Sequence, residues 1–209
     1  MRTHFSVKAR ALQLTARERQ VVIGTVLGDG YLMSTTAGHC LRLNHGIQQR
    51  AYVDWKYREL RRFVRTPPRA SGNAYYFRTV SHPLLTIYRN VFYVNANKVL
   101  PIGFLTRELQ ALGLAVWFMD DGSADRNQLR LNTQSFCCSE LREFIGLLLG
   151  KFGVRATLNR DKRHYRLRIG SQSMQQLRQL ISEYFHPSML YKLQQPQARD
   201  RSSPASLLS

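Results

Sequence analysis

The chain has 209 residues, 44% of them hydrophobic and 11% aromatic, which is enough to bury a core and excludes a disordered polypeptide. Thirty-one Lys and Arg against 13 Asp and Glu leave a net charge of +18, so a polyanion, nucleic acid first, is the expected partner. Apolar runs such as Leu112–Met119 are too short to cross a bilayer, and no basic amphipathic helix offers a lipid-seeking face, so no membrane partner is expected. Of the 31 cationic residues 25 are Arg, whose planar fork suits phosphates and guanine edges. The 3 cysteines, two of them adjacent at Cys137 and Cys138, cannot build a disulfide framework or a four-cysteine zinc site, which fits a reducing compartment. The 6 histidines lack paired metal-ligand spacing; they read as exposed, DNA-facing or core residues, and none is assigned to catalysis.

Residues 1–14 are basic without an acid and read as a short N-terminal arm lying on phosphate, in preference to an organellar transit segment. Thr15-Ala16-Arg17-Glu18 has the spacing of a capping box and opens a helix through the apolar Val21–Leu27, stopped by Gly28-Asp29-Gly30. The second half of the chain repeats this order. VIGTVLGDG at 22–30 corresponds to LAVWFMDDG at 114–122, and each is followed by the same tetrapeptide, Leu41-Arg42-Leu43-Asn44 and Leu129-Arg130-Leu131-Asn132. Phe77-Arg78 and Leu167-Arg168 sit in comparable strands before helical stretches, and a Lys precedes Pro in each half, Lys98 lying 69 residues after Asp29 and Lys192 71 after Asp121. Residues 195–209 are rich in Arg and Ser without periodicity and read as a disordered tail.

Each half therefore reads as helix, strands, helix. A strand's period of two sends Leu41 and Leu43 to a core and Arg42 and Asn44 to the opposite face; Arg130 and Asn132 follow the same rule. In His164–Ile169 the apolar side is Tyr165, Leu167 and Ile169, which leaves Arg166 and Arg168 together on the other, and Tyr76 and Arg78 share such a face. Alternation of this kind is also how any half-solvated antiparallel sheet looks. The net charge favours a DNA-reading surface, because few acids are available to pair with these arginines. Arg42, Asn44, Tyr76, Arg78, Arg130, Asn132, Gln134, Arg166 and Arg168 are the candidate DNA contacts.

Three of the 13 acids occur directly after apolar helices, in Gly28-Asp29-Gly30 and Asp120-Asp121-Gly122. A carboxylate at a helix C-terminus opposes the macrodipole, and two brought together about a pseudo-two-fold axis repel unless cations lie between them. Hard oxygen ligands point to Mg²⁺. One Asp-Gly turn would mean only a chain reversal. Two equivalent turns, each trailed at similar distance by a Lys, form a charge set suited to phosphodiester hydrolysis on two strands.

These two motifs, together with LNTQSF at 131–136 and PSMLYKL at 187–193, resemble the LAGLIDADG homing endonucleases of the single-chain, two-motif kind, the last two segments being especially similar to the yeast mitochondrial intron-encoded member. The resemblance spans nearly the whole chain beyond the arm. It implies an α+β fold of two pseudo-symmetric αββαββα halves, at 15–105 and 106–194, forming a saddle-shaped antiparallel β surface with the motif helices packed at the centre. By the same resemblance Asp29 and Asp121 take the metal-binding acidic positions, Gly28 and Asp120 offer main-chain oxygens there, and Lys98 and Lys192 act beside them. It further implies a monomeric, Mg²⁺-dependent double-strand DNA endonuclease that leaves short 3′ overhangs and supports intron mobility. Mn²⁺ is expected to substitute and Ca²⁺ to bind without supporting cleavage. An RNA maturase acting on group I introns, or a non-cleaving DNA-binding protein on this fold, are the alternatives. The expected location is an organelle, mitochondrion or chloroplast, or the bacterial cytoplasm. In the first motif Gly24 and Gly28 permit close helix approach, whereas the second has Val116 and Asp120 there, so the halves are expected to pack asymmetrically.

Overall fold

A computed structural model describes residues 3–125 and 127–194; the expected tail at 195–209 lies outside the described residues. The elements run α1 (His4–Ala11), α2 (Ala16–Leu27), β1 (Tyr31–Thr35), β2 (Gly38–Gly46), α3 (Arg50–Glu59), β3 (Arg69–Ser71), β4 (Ala74–Arg78), α4 (Pro83–Phe92), β5 (Tyr93–Val94), β6 (Asn97–Lys98) and α5 (Ile102–Glu108). The order then repeats as α6 (Ala111–Asp121), β7 (Gly122–Asp125), β8 (Gln128–Leu131), α7 (Cys138–Phe152), β9 (Thr157–Asp161), β10 (His164–Ile169) and α8 (Ser171–Ile181). Two four-stranded antiparallel sheets result, ordered β1-β2-β4-β3 and β7-β8-β10-β9, so the strand order of one is the strand order of the other. Their registers correspond as well: Arg42 lies opposite Arg78, and Arg130 opposite Arg168.

The start of α2 follows from local chemistry. Thr15 accepts the Glu18 amide while the Glu18 carboxylate accepts the Thr15 amide, the reciprocal box that satisfies two orphan N–H groups. The same carboxylate takes two hydrogen bonds from Arg62, at 2.9 and 2.7 Å, which ties the helix start to the segment after α3.

From Gln20 to Leu27 every residue of α2 is buried, and so is every residue of α6 from Leu112 to Asp120. Helical stretches buried on every side belong in the centre of a molecule, and these two lie against each other. A Cβ on Gly24 would come within 2.6 Å of Val116 Cβ, and one on Gly28 within 2.5 Å of Asp120 Cβ, so each small residue of α2 receives a larger one of α6. Gln20 closes the joint further along, donating to the Glu108 carbonyl at 2.7 Å and accepting the Gln110 amide at 2.8 Å.

Behind the first sheet α4 contributes Leu85, Tyr88 and Phe92 against Leu41, Leu43 and Phe77; behind the second, α7 and α8 contribute Phe144, Leu148, Leu177 and Ile181 against Leu129, Leu131, Leu167 and Ile169. The alternation read from the sequence thus divides core from outer face. Asn132 follows the last residue of β8, its amide held by the Asp121 carbonyl at 3.0 Å.

The expected arm takes a different form. Residues His4–Ala11 are helical, Ala9 is buried, and Arg10 donates to the carbonyls of Ala37 and Ser81 at 2.7 and 3.3 Å. A guanidinium spent on protein carbonyls is not free for phosphate, so Arg10 docks α1 onto the first sheet. Among the described residues no helix is long and apolar enough to cross a membrane.

Candidate nuclease centre and nucleic-acid face

Asp29 follows the end of α2 and Asp121 is the last residue of α6, so the packing of the two helices brings both carboxylates to one end of the helix pair. Partial loss of bulk water raises the pKa of each, though the Asp29 side chain is still 43% exposed. For Asp29 the neighbouring Asp120 adds to the rise and Lys56, Lys192 and Lys98 oppose it. For Asp121 burial comes first and the charges of Asp29 and Asp120 follow, pushing it up from 3.8 to about 7; the Trp117 indole N–H, 3.1 Å from Oδ2, pulls the other way. Asp120 raises Asp29, and Asp29 with Asp120 raises Asp121, an unfinished charge set which a divalent cation would complete. With the carbonyl oxygens of Gly28 and Asp120 alongside, the donors are all hard oxygens, which fits Mg²⁺, Mn²⁺ or Ca²⁺ better than a thiophilic metal.

The two lysines stand in matching places. Lys98 donates to the carbonyls of Gly28 and Gly30 at 2.8 and 3.2 Å, and Lys192 donates to the Asp120 carbonyl, so each ammonium meets the main-chain oxygen before the motif's final Asp. Burial lowers both lysine pKa values, and the three aspartates partly restore them. Delivery differs between halves. Lys98 rides on the β5–β6 hairpin, whose turn residues Asn95 and Ala96 have φ of 47° and 69°, whereas Lys192 ends a 3₁₀ segment at Pro187–Lys192. The left-handed region suits Asn but strains Ala, a cost this turn bears in presenting Lys98.

A second set of groups joins this centre without any warning in the motif. The Asp120 carboxylate is wholly buried and accepts from Lys56 Nζ at 2.7 and 2.9 Å and from Tyr52 Oη at 2.8 Å. Lys56 is itself wholly buried in α3. His45 also lies here, its Nδ1 3.4 Å from Asp29 Oδ2 and 2.8 Å from Gln49 Oε1, its Nε2 3.9 Å from Asp120 Oδ1. Burial, with Lys56 adding to it, depresses the His45 pKa from 6.5 to about 4, so the ring is neutral at physiological pH.

Ligand atoms of Asp29, His45 and Asp120 come within 4.8 Å of one another. The Lys56 ammonium, however, already takes the cation's place on Asp120, so the Asp120 side chain is not a free metal ligand; its main-chain oxygen, like that of Gly28, carries a lysine ammonium and keeps a second lone pair for a cation. The period-two pattern of β2 did put His45 on the core face behind Leu41 and Leu43, which is the one sequence signal that could have found it. Nothing in the sequence marked Lys56 or Tyr52.

On the outer faces Arg42, Asn44, Tyr76 and Arg78 lie together, as Arg130, Arg166 and Arg168 do on the other sheet. The two faces are charged differently. In the first, Arg42 and Arg69 both lie over the Tyr76 ring, 5.2 and 5.3 Å from its centroid, and Arg69 Nε donates to its hydroxyl at 2.8 Å. A cleft of about 610 Å³ continues from this face, lined by Arg10, Arg42, Arg65, Arg69 and Arg78.

In the second sheet Arg130 pairs with Asp125, Arg166 with Asp161 at 2.7 Å, Gln134 with Asp161 at 3.1 Å, and Arg168 Nε donates to Gln128. Among the described residues the expectation that acids would be missing beside these arginines therefore holds for Arg42 and Arg78 of the first sheet and fails for Arg130 and Arg166. The acids are few, but the strands carry two of them to the same face.

Two central acid-ending helices beneath a pair of basic antiparallel sheets define a class of protein. Residues 19–177 match the model of the LAGLIDADG DNA endonuclease family, and the chain belongs to that family. It is 32% identical over 126 residues, 57% of this chain and 93% of the relative, to a Mycosarcoma maydis protein named "Probable intron-encoded DNA endonuclease 3". It is 35% identical over 104 residues to the cytochrome b mRNA maturase bI2 of Debaryomyces hansenii, covering 49% of this chain and 39% of the maturase. Among solved structures the homing endonuclease I-WcaI bound to its DNA recognition sequence shares the fold, with a TM-score of 0.82 and 23% identity over 91% of this chain and 92% of that one.

Proposed function

We propose that the chain is a site-specific, monomeric double-strand DNA endonuclease that uses Mg²⁺ and leaves short 3′ overhangs, in the service of intron mobility. One observation carries the reading: each motif helix leads to a carboxylate of raised pKa, Asp29 just beyond α2 or Asp121 at the end of α6, and a lysine of the same half, Lys98 or Lys192, sits on the preceding carbonyl. Cations held among Asp29, Asp121 and the carbonyls of Gly28 and Asp120 would polarise the scissile phosphates and make bound water a nucleophile at neutral pH, one carboxylate and one lysine serving each strand. Asp29 and Asp121 hold the charge that keeps such a site occupied. Lys98 and Lys192, anchored by their carbonyl contacts, present ammonium groups to the charge that develops on the phosphate oxygens. Two such sets suit one cut in each strand.

The sheets supply target recognition. Arg42, Asn44, Tyr76, Arg78, Arg130, Asn132, Gln134, Arg166 and Arg168 face outward or flank the outward strands, and a β ribbon of this kind fits the major groove. The DNA-bound state of I-WcaI supports that docking for a protein of the same fold.

The test is cleavage of a diverse pool of long duplexes in Mg²⁺, with Ca²⁺ and an Asp29→Asn/Asp121→Asn double variant as controls, followed by sequencing of the ends. Defined double-strand breaks with short 3′ overhangs, absent in both controls, are expected. The similarity to a cytochrome b mRNA maturase favours one rival reading, assistance to group I intron splicing. Tighter binding to structured intron RNA than to any duplex at physiological salt, with no cleavage, would replace the nuclease reading by that one.

A further inference from the structure

The two motif acids are aimed by different means. Asp121 is still helical, its side chain steadied by the Trp117 indole one turn earlier and its carbonyl bonded to the Asn132 amide at 3.0 Å. Asp29 lies beyond its helix, in the turn Gly28-Asp29-Gly30. There the Gly28 amide reaches the Gly24 carbonyl and the Gly30 amide the Thr25 carbonyl, at 3.0 and 2.8 Å. Between them the Asp29 amide points out of its own helix and donates to Asp120 Oδ2 of the other, at 3.2 Å. The remaining capacity of that carboxylate is filled by Lys56 and Tyr52 from α3. Asp120 has no counterpart in the first motif, where Gly28 stands, and α7, which follows β8 as α3 follows β2, turns Phe144 against Trp117 with ring centroids 5.2 Å apart.

A fully buried Lys-Asp pair is a poor way to gain stability, since apolar residues of similar volume commonly do as well or better. Its geometry suggests another use. We propose that Asp120, an acid of the second motif, is a positioning residue for the first: its side chain fixes the turn that aims Asp29, and Lys56 cancels its charge so that it does not compete with Asp29 and Asp121 for cations. The proposal rests on the nuclease reading, and it makes the two cleavage centres unequal in construction.

Two double variants of the full chain isolate the role, Asp120→Asn/Lys56→Met and Asp120→Leu/Lys56→Met. Both remove the buried charges at similar volume, and only the first keeps an acceptor for the Asp29 amide. The first readout is hydrogen exchange of the Asp29 amide by NMR without metal. The second is strand-resolved nicking of an end-labelled duplex that carries the site the wild type cuts, with the strand served by Asp29 identified using Asp29→Asn. The Asn/Met protein is expected to keep the amide protected. In the Leu/Met protein the amide should exchange at least tenfold faster and nicking of the Asp29 strand should fall at least tenfold below that of Asn/Met, with binding to the duplex in Ca²⁺ retained and the other strand less affected. Equal nicking by the two folded variants, or an unprotected Asp29 amide in the wild type, overturns the proposal. If Asp120→Leu/Lys56→Met does not fold, Asp120→Ala/Lys56→Met replaces it and differs from the Asn variant in the same acceptor. A wild type that cuts no duplex overturns the nuclease reading instead; it is told apart because all the proteins are then equally inactive while the amide still reports whether the contact exists.

Discussion

The halves share a strand order, a register and a lysine on the same carbonyl, yet around Asp29 the structure uses charge and around Asp121 it uses aromatic packing. Asp29 has His45 at 3.4 Å and a backbone amide held by a carboxylate that Lys56 neutralises. Asp121 has Trp117, which packs on Phe136 and Phe144. The outer faces differ in a parallel way, with Arg42 and Arg69 over Tyr76 on one and acid-paired Arg130 and Arg166 on the other. A repeated backbone therefore does not repeat its electrostatics: helix-end acids in equivalent places acquire different neighbours, because the elements packed against them have diverged.

The largest effect separating the halves is expected at Lys56. Lys56→Met leaves the Asp120 carboxylate buried without its cation and should cost about 3–5 kcal/mol in urea unfolding, whereas adding Asp120→Asn should recover most of that loss. Nearly equal midpoints for the single variant and the wild type would show that the pair is not what neutralises the first centre. Next come the lysines at the candidate centres. Lys98→Met and Lys192→Met should each slow nicking by roughly 10²-fold, each mainly on one strand, which end-labelled duplexes resolve. An equal loss on both strands from either substitution would show that the centres do not act separately.

The pH dependence of stability separates His45 from the motif acids by sign. The His45 pKa falls from 6.5 to about 4 on folding, so between those values the unfolded chain binds more protons and stability rises with pH. For Asp121 the pKa rises from 3.8 to about 7, so the folded chain binds more protons and stability is lost as pH climbs through that window. In metal-free thermal melts from pH 4 to 8, His45→Gln should make stability fall more steeply with pH, and Asp121→Asn should make it fall less steeply, the raised pKa of Asp29 keeping part of the decline. Ca²⁺ should raise Tm more at pH 8 than at pH 5, because only deprotonated carboxylates hold it. A Ca²⁺ effect independent of pH would place the ion elsewhere.

The smallest expected effect concerns the faces. Arg42→Ala, with no acid paired to the lost charge, should reduce the slope of log K against log salt by about 1 if Arg42 contacts phosphate. Arg130→Ala should reduce it less, since Asp125 already offsets its guanidinium. Equal slopes from the two would mean that the Arg130–Asp125 pair opens on DNA.

Much of this architecture was legible in the chain. The motif repeat, the matched tetrapeptides and the Leu-Arg alternation lead to two sheets around two buried helices, and the lysine spacing anticipates a lysine in a matching place in each half, while the carbonyls it sits on are a finding of the structure. Local chemistry determines such features: a capping box, a 3.6-residue or two-residue period and an Asp-Gly stop are each written within a few neighbouring residues. Tertiary structure alone decided that Lys56 and Tyr52 meet Asp120, 64 and 68 residues away. It also decided that His45 turns its buried edge toward Asp29 and that Asp125 and Asp161 cross to the basic face of the second sheet. Periodicity tells which side of an element a residue takes, but not which distant side chain waits there. The partner is chosen by how the helices pack, and so the charges of the two centres were settled only when the halves closed on each other.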